Sequence, residues 1–317
     1  MSNATPSRLG LVNATGTGYN DLFLKLYSGE VLASFQRENK MLGMTNVRTI
    51  ANGKSASFPV RGTTSAGYHT AGNEILGTAV RHNEKVINID DMLLAHAFIA
   101  EIDQLKNHWD ARSVYSKEMG QALAKKVDQH LLQLAFIASD NNATLTGGNF
   151  GGNVTDADCK TNAESMIASI FEAIQKLDEN DVPSSDRYIV TTPDIYYQLC
   201  NVDKLVSRDF SSNNGDFGKG TVVSIGGVPV IKSNTAVSAF TDQSGASTTG
   251  QNNTYNGDFQ HCAAMVFHKS AVGTVKLKDL VMESTYDPRR LGTLMTARMA
   301  IGSNFLRPES AVRIITQ

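Results

Sequence analysis

The chain has 317 residues, with 29 lysine and arginine residues against 31 aspartate and glutamate residues, for a formal net charge of −2. This length can bury a substantial core as one large domain or two smaller ones. The near-neutral charge excludes the strongly basic surface that is typical of a sequence-reading nucleic-acid binder.

The first predicted element is an N-terminal arm. Residues 1–20 are polar and rich in glycine, threonine and asparagine, so they lack the apolar content that would offset the entropy of ordering them. Apolar residues between positions 22 and 35 then follow a short helical pattern. We expect this pattern to dock the arm on a core while residues 1–20 stay free.

A long hairpin is predicted next. Strands are expected at 54–60 and 80–89, and the segment between them, 61–79, is rich in glycine and threonine. Hairpin loops usually have about two to five residues, and an isolated two-stranded ribbon is marginally stable in water. We therefore expect this ribbon to lie against another molecule, with a disordered surface insertion as the alternative.

The segment Asp103–Ala138 is predicted to be one long helix, because it contains no proline and only Gly120 weakens it. Its apolar stripe recurs at steps of three and four residues and consists of Met119, Leu123, Val127, Leu131, Leu134 and Ala138. With a rise of ~1.5 Å per residue, the helix would be roughly 54 Å long. Such a rod suits an extended subunit that meets neighbours on several edges, and an ordinary long helix across a large domain is the alternative.

The rest of the chain mixes helices and strands, as an α/β or α+β unit does. Residues 140–158 are predicted to be a linker and 165–177 an amphipathic helix. The elements predicted in the middle third are a strand at 188–191, a helix at 193–201, strands at 228–231 and 263–267, and a segment that is mostly loop at 233–258. Two long strands are predicted at 272–285 and 294–305, around a turn at 287–292.

No motif indicates catalysis, a metal or a cofactor. A phosphate loop requires a glycine and a serine or threonine at positions where Gly215–Thr221 and its flanking residues have neither. A dinucleotide fingerprint follows a strand, and no strand is predicted before Gly147–Gly152. The seven histidines show no metal-ligand spacing. We therefore predict that the protein is not an enzyme and binds no cofactor, although a triad of residues distant in sequence stays open.

Cysteine use and hydropathy predict the compartment. Cys159, Cys200 and Cys262 lie far apart, as buried thiols in a reducing compartment do. The first twenty residues have no secretion-signal pattern, and no apolar run approaches the ~18 residues of a membrane span. We expect a protein that is made and used in solution, without a membrane partner.

Two groups of short motifs carry a family resemblance. The first group occupies 22–25, 29–32, 53–56, 58–60, 84–87 and 89–90, with Phe35 and His82. The second group occupies 268–277, 279–280 and 306–309, with Glu283. Together they resemble the major capsid protein of short-tailed, podovirus-type bacteriophages. The resemblance runs in order over nearly the whole chain and is weakest at 203–256.

The resemblance implies an α+β fold, namely the shell fold shared by tailed phages and herpesviruses. In that fold the hairpin is the extended loop that lies across a neighbouring subunit, and the long helix is the spine of the peripheral domain. The implied segments are an N-terminal arm at 1–45, the extended hairpin loop at 46–90, the peripheral domain with its spine helix at 91–159, the axial domain at 160–268 and the C-terminal strands of the peripheral domain at 269–317.

The implied function is structural. The subunit would assemble with itself, as hexamers and pentamers, into an icosahedral head that encloses double-stranded DNA. Implied partners are a scaffolding protein, a portal protein, a possible decoration protein and packaged DNA in non-specific contact. Assembly would occur in the cytoplasm of the host bacterium and the product would be the virion. The short N-terminus is expected to leave no room for a built-in scaffold segment.

Six charged residues are candidates for contacts between subunits. They are Lys54, Arg61, Arg81, Glu84, Arg289 and Arg290. Ordinary surface charge is the alternative for each. At the level of the whole chain, an enzyme-loading bacterial nanocompartment of the same fold is the second candidate function, and a soluble α/β enzyme is a remote third.

Overall fold

The computed structural model describes residues 33–35, 39–62, 64, 66–77, 79–102, 111–145, 148–202, 215–216, 221–222 and 224–316. The predicted free arm, residues 1–20, lies outside these ranges, as does the start of the predicted long helix. The chain divides into two compact units. The first unit takes its residues from Met1–Asn39, Asp91–Val127 and Lys278–Ala300, and the second from Lys40–Asp90, Asp128–Leu277 and Ile301–Gln317.

The helices of the described residues are α1 (Ala111–Asp140), α2 (Ala163–Glu179), α3 (Pro193–Cys200) and α4 (Asn234–Ala239). Short 3₁₀ turns occupy Leu42–Met44, Lys269–Ala271 and Pro308–Ser310. The strands are β1 (Asn46–Thr49), β2 (Ser55–Arg61), β3 (His82–Asn88), β4 (Leu93–Ala100), β5 (Gly152–Thr155), β6 (Arg187–Thr191), β7 (Gly215–Asp216), β8 (Thr221–Val222), β9 (Ser224–Ile225), β10 (Val228–Lys232), β11 (Cys262–His268), β12 (Val272–Asp287), β13 (Gly292–Phe305) and β14 (Ala311–Ile315).

Helix α1 confirms the predicted long helix from residue 111 onward. At ~1.5 Å per residue its 30 residues make a rod of about 45 Å. All six residues of the predicted apolar stripe are buried. Tertiary packing of this face therefore stabilises the helix.

In the first unit, strand β4 pairs antiparallel with β13, from Leu93 opposite Met299 to Ala100 opposite Gly292. These strands belong to a sheet with the order β1-β12-β13-β4. Side chains alternate across β4, and every second residue from Leu94 to Phe98 is exposed. The strand therefore has one packed face and one open face.

The second unit contains a six-stranded mixed sheet with the order β5-β14-β11-β6-β10-β9. Strand β11 is central and buried along almost its whole length, as expected for a strand covered on both faces. Helices α2 and α3 contribute to the same core through residues that include Met166, Ile170, Leu177 and Leu199. The predicted helix and strands of this region are confirmed.

The predicted hairpin is also confirmed. Strands β2 and β3 form a separate two-stranded antiparallel sheet, and the loop between them runs from residue 62 to 81. The predicted final strands correspond to β12 and β13, which meet at the expected turn.

The predicted linker at 140–158 is wrong for Gly152–Thr155, which forms strand β5 beside β14. A Cβ atom on Gly152 would lie 2.7 Å from Cγ2 of Val312, so the glycine that suggested a linker is required by close strand packing. Strands β1, β4 and β14 were not predicted. The predicted loop at 233–258 also contains the short helix α4.

Candidate functional site

The hairpin has a packed face and an exposed face. Ala56 and Val60 on β2 and Ile87 on β3 are buried. Their neighbours along each strand point the other way, because side chains alternate in a strand. Arg61 and Glu84 lie on this second, exposed face, where a partner can reach them.

We call the end of β2 and β3 from which the loop leaves, around Arg61 and Asn83, the root of the hairpin loop. Polar contacts fix this root. The Nδ2 of Asn83 donates to the carbonyl of Thr144 at 2.6 Å, and the Thr144 hydroxyl donates to the carbonyl of Leu306 at 2.7 Å. The ammonium of Lys85 lies 3.7 Å from the centre of the Phe305 ring, and burial lowers the pKa of Lys85. These contacts hold the root in place.

A carboxylate fixes the point where the chain leaves the hairpin. Asp90 accepts hydrogen bonds from the backbone N–H of Asn252 at 2.7 Å, from the backbone N–H of Asn253 at 3.1 Å and from the Asn253 amide at 3.0 Å. The Tyr255 hydroxyl also donates to Asp90 and accepts from the Ser303 N–H at 3.1 Å. Burial raises the pKa of Asp90, while these hydrogen bonds lower it. We call this group the Asp90 clamp.

The tip of the hairpin exposes large apolar side chains. Tyr68 is fully exposed, and Ile75 and Leu76 are 79% and 78% exposed. Glu74, also exposed, is the only acidic residue between the two strands. Soluble proteins rarely leave such a concentration of apolar side chains uncovered without a binding role.

A cleft of about 490 Å³ lies beside the hairpin root. Two predicted contact residues, Arg61 and Arg81, line it, together with Arg307, Glu309 and Asp181. Nε of Arg307 lies 3.0 Å from Oε1 of Glu309, so these two charges largely offset each other. The remaining lining residues carry two arginines against one carboxylate, an arrangement that suits an anionic group better than a cation.

The turn between β12 and β13 presents the other predicted residues. The Arg289 N–H donates to Oδ1 of Asp287 at 2.9 Å, and Nε of Arg290 lies 3.8 Å from Oδ2 of the same side chain. Both arginines are exposed. Leu291 follows with φ of +47° and is 64% exposed.

The open face of β4 lies next to this turn. Leu94 and Phe98 on that face are about half exposed. A Cβ on Gly292 would lie 2.5 Å from the ring of Phe98, so the ring covers the glycine at the end of the turn. Phe98 therefore lies near the turn, whereas Leu94 lies farther along β4, opposite Arg298.

Helix α1 carries a buried carboxylate that fixes the segment entering the hairpin. Oδ2 of Asp128 accepts from the Lys40 N–H at 3.0 Å, and Oδ1 accepts from the Met41 N–H at 3.1 Å. Burial raises the pKa of Asp128 to about 6, although both hydrogen bonds and the Lys40 charge lower it. Burial therefore outweighs the hydrogen bonds, and the pKa of this carboxyl lies above its ordinary value.

The predicted contact residues belong to the hairpin and to the turn between β12 and β13. Those on the hairpin are Lys54, Arg61, Arg81 and Glu84, and those on the turn are Arg289 and Arg290; all six are exposed. Sequence reasoning missed the apolar tip residues and the Asp90 clamp. Large apolar residues are unusual in a loop rich in glycine and threonine, so the sequence could have indicated Tyr68, Ile75 and Leu76 as contact residues. The sequence around Asp90 does not indicate its role, because its hydrogen-bond partners lie about 160 residues away along the chain.

Cys159, Cys200 and Cys262 are buried free thiols, which confirms the sequence prediction of their packing role. Within the described ranges, no group of three or more His, Cys, Asp or Glu side chains could hold a metal ion. No helix in the part of the chain that the structure describes is long and apolar enough to cross a membrane.

Comparison with known proteins identifies relatives along almost the whole chain. The family described as Gp10A-like, major capsid protein, matches residues 57–315. The major capsid protein of Enterobacteria phage T3 is 31% identical over 93% of this chain and 91% of its own length, and that of Escherichia phage T7 is 32% identical over the same shares. The capsid structure of the cyanophage P-SCSP1u has a TM-score of 0.78 at 38% identity and covers 99% of both chains.

Proposed function

This chain belongs to the Gp10A-like family of major capsid proteins, and from that premise we propose how its described surfaces build a phage head. It is a structural subunit of a capsid shell and not an enzyme. Its α+β fold is that of tailed-phage capsid proteins. The enzyme-loading nanocompartment and the soluble enzyme are not favoured, because the relatives are phage major capsid proteins.

The hairpin is the extended loop that lies across a neighbouring subunit. The observation that carries this proposal is the exposed apolar tip, Tyr68, Ile75 and Leu76, at the end of a hairpin whose root is held by hydrogen bonds. A fixed root limits the directions in which the tip can point. Burying the tip against a second copy would remove its apolar surface from water, at roughly 25 cal/mol per Å².

The segments inferred from the resemblance remain our proposal for the domain organisation: arm 1–45, extended loop 46–90, peripheral domain 91–159 and 269–317, and axial domain 160–268. One amendment follows from the sheet order. Strands β5 and β14 complete the sheet of β6, β10 and β11, so we assign Gly152–Thr155 and Ala311–Ile315 to the domain that meets its copies around the symmetry axes.

The subunits assemble as hexamers and pentamers into an icosahedral head around double-stranded DNA, in the cytoplasm of the host. A scaffolding protein guides assembly, a portal protein occupies one vertex, and a decoration protein is a further candidate partner. Repeated contacts can be individually weak because a closed shell multiplies them. A net charge of −2 suits non-specific contact with DNA, since a strongly basic lining would hold the genome tightly.

The charged residues of both surfaces contact neighbouring subunits in this proposal. Arg61 and Arg81 offer the cleft to an acidic group, and Lys54 and Glu84 extend the exposed edge of the hairpin. Exposed ion pairs contribute only about 0–1 kcal/mol each. Their role is therefore in the choice of partner and orientation more than in raw affinity.

Electron microscopy of the expressed chain, alone and with the scaffolding protein of its phage, tests the proposal. We expect closed icosahedral shells or tubes of hexamers. The variant Ile75→Ser with Leu76→Ser should stay folded and lose most assembly. Val237→Ser is the control, because Val237 is also an exposed apolar residue but lies on α4. A wild-type chain that stays monomeric under both conditions would refute the assembly function, and equal assembly by both variants would refute the role of the tip.

We also propose that residues 62–77 and the arm before Leu22 reorder when the shell expands around the packaged genome. For the hairpin tip, this proposal is supported by the exposure of Tyr68, Ile75 and Leu76 in the isolated subunit. Hydrogen exchange in precursor and mature shells measures the change. Equal protection of both segments in the two forms would contradict it.

A further inference from the structure

The cleft beside the hairpin root is walled by four segments of the second unit. They are the hairpin root itself, the loop that follows α1, the end of α2 with the loop after it, and the 3₁₀ turn that follows β13. Side-chain hydrogen bonds join these walls. Asn83 donates to the Thr144 carbonyl, the Thr144 hydroxyl to the Leu306 carbonyl, and Nδ2 of Asn180 to the Glu309 carbonyl at 3.2 Å. The cleft is therefore preformed, so a ligand can bind it without first ordering its walls.

The positive charges of the cleft come from different walls. Arg61 and Arg81 belong to the hairpin root, and Arg307 belongs to the segment between β13 and the 3₁₀ turn. Glu309 offsets Arg307 through their contact at 3.0 Å, and Asp181 is exposed, so water and salt screen its charge. Three arginines against two carboxylates leave a positive excess that is carried by guanidinium groups. Guanidinium groups recognise phosphate oxygens through paired hydrogen bonds.

We propose that this cleft binds a phosphate ester, and that the bound phosphate joins Arg61 and Arg81 of the hairpin root to Arg307. A phosphate group presents three strong acceptor oxygens, whereas a carboxylate presents two. Phosphate is therefore better suited to guanidinium groups that stand on separate walls. This inference goes beyond the proposed assembly function and does not depend on it.

The cleft has room for more than the phosphate group. Its volume of about 490 Å³ lies within the range of roughly 300–1,000 Å³ that is usual for small-molecule sites. Apolar side chains also line it, namely Ala79, Leu145, Val182 and Pro183. These side chains can contact the carbon part of an ester, such as a sugar. A sugar phosphate occurs both in a free nucleotide and in the backbone of DNA, and the two share the group that the cleft recognises.

A ligand in the cleft stabilises the hairpin root. The Gly62 N–H donates to the Arg81 carbonyl at 2.9 Å, at the point where the two strands separate into the loop. A Cβ on Gly62 would lie 3.8 Å from Cδ1 of Leu145, so the root is also close to the loop after α1. A ligand that binds only this closed arrangement opposes its opening by mass action. Phosphate binding therefore limits the directions in which the hairpin can leave the second unit.

Titration calorimetry of the unassembled full-length chain with a nucleoside 5′-monophosphate tests the site. We expect saturable binding that Arg61→Ala weakens by about tenfold or more, because a charge-assisted contact is lost. Asp181→Asn should tighten binding, since it removes a negative charge from the lining. Arg289→Ala is the matched control, because it removes the same charge from an exposed position outside the cleft, and it should leave the affinity unchanged. Absence of saturable binding, or equal losses in Arg61→Ala and Arg289→Ala, would overturn the inference.

Competition experiments identify the chemistry and the source of the ligand. Glutarate, a dicarboxylate, should bind about tenfold or more weakly than the monophosphate, and equal affinity would overturn the choice of phosphate. A short DNA duplex that displaces the monophosphate from the wild type, and does so less well from Arg61→Ala, would identify the DNA backbone as a source. A duplex that does not displace it would assign the cleft to a free phosphate ester. Both of these results support the phosphate site.

Hydrogen exchange tests the effect on the hairpin root. At a monophosphate concentration of about 100 times Kd, protection of the Gly62 amide should rise by up to roughly 100-fold. The Ala246 amide, which donates to the Gln243 carbonyl outside the cleft, is the control and should be unchanged. Saturated binding without added protection at Gly62 would overturn the link to the hairpin. Every measurement uses the unassembled chain, so a failure of the proposed shell assembly is a separate result.

Discussion

The Asp90 clamp gives a sharp test of what holds the hairpin in place. Its Tyr255 hydroxyl donates to the Asp90 carboxylate and accepts from the buried Ser303 N–H. The Tyr255 ring also stacks on His130, with ring centres 4.1 Å apart. The variant Tyr255→Phe removes both hydrogen bonds and keeps the ring, so the packing is preserved.

The expected cost follows from the two lost bonds. A hydrogen bond to a charged group contributes about 1.5–3 kcal/mol, and an unpaired buried N–H costs about 1–3 kcal/mol. Relaxation recovers part of each loss, so we expect about 2–4 kcal/mol in total. That is a large share of the roughly 5–15 kcal/mol by which a domain is stable.

Hydrogen exchange of the unassembled subunit measures the loss of stability at the clamp itself. The amides of Asn252 and Asn253 donate to Asp90, so their protection reports the clamp directly. At about 1.4 kcal/mol per factor of ten, protection should fall roughly 30- to 800-fold. Tyr286→Phe is the matched control, because its hydroxyl also donates to a carboxylate but is exposed. Protection within threefold of the wild type in Tyr255→Phe would refute this account of the hairpin.

Three further predictions concern the same unit. The pKa of Asp128 is raised from 3.8 to about 6, so the folded state holds this proton more tightly. Stability against urea should therefore increase as pH falls from about 6 to 4, by roughly 1.4 kcal/mol per unit, and Asp128→Asn should remove that slope. Gly302→Ala should prevent folding into the native form, since its Cβ would overlap a backbone carbonyl of β3, whereas Gly43→Ala meets open space and should be tolerated. Ile87→Ala should cost about 2–5 kcal/mol in urea unfolding, while Val86→Ala, its exposed neighbour, should cost much less; equal losses would contradict the assigned faces.

The elements that sequence predicted well are those defined by local pattern. The stripe from Met119 to Ala138 recurs with helical spacing, and all its members are buried in α1. The hairpin was indicated by two strand patterns around a segment rich in glycine. In both cases the information lies within one stretch of the chain, so the period of apolar residues decides the structure.

The features that sequence did not predict depend on distant partners. Strand β5 contains Gly152 and Asn153, which are poor strand formers, and it exists because β14 pairs with it across 160 residues. The cleft joins residues of the hairpin to Arg307 and Asp181 in the same way. The six contact candidates are exposed, and their contacts with neighbouring subunits stay a prediction, because those contacts are a property of the assembled shell.

The position of β14 in its sheet bears on how the subunit is made. Strand β14 lies between β5 and β11, so β5 has no described strand to pair with until residues 312–315 have been synthesised. At about 5–20 residues per second, the ribosome needs roughly 8–32 s to travel from β5 to β14. A chain that ends before residue 311 therefore lacks the strand that joins β5 to β11, so the sheet can be completed only after synthesis of the chain has almost finished.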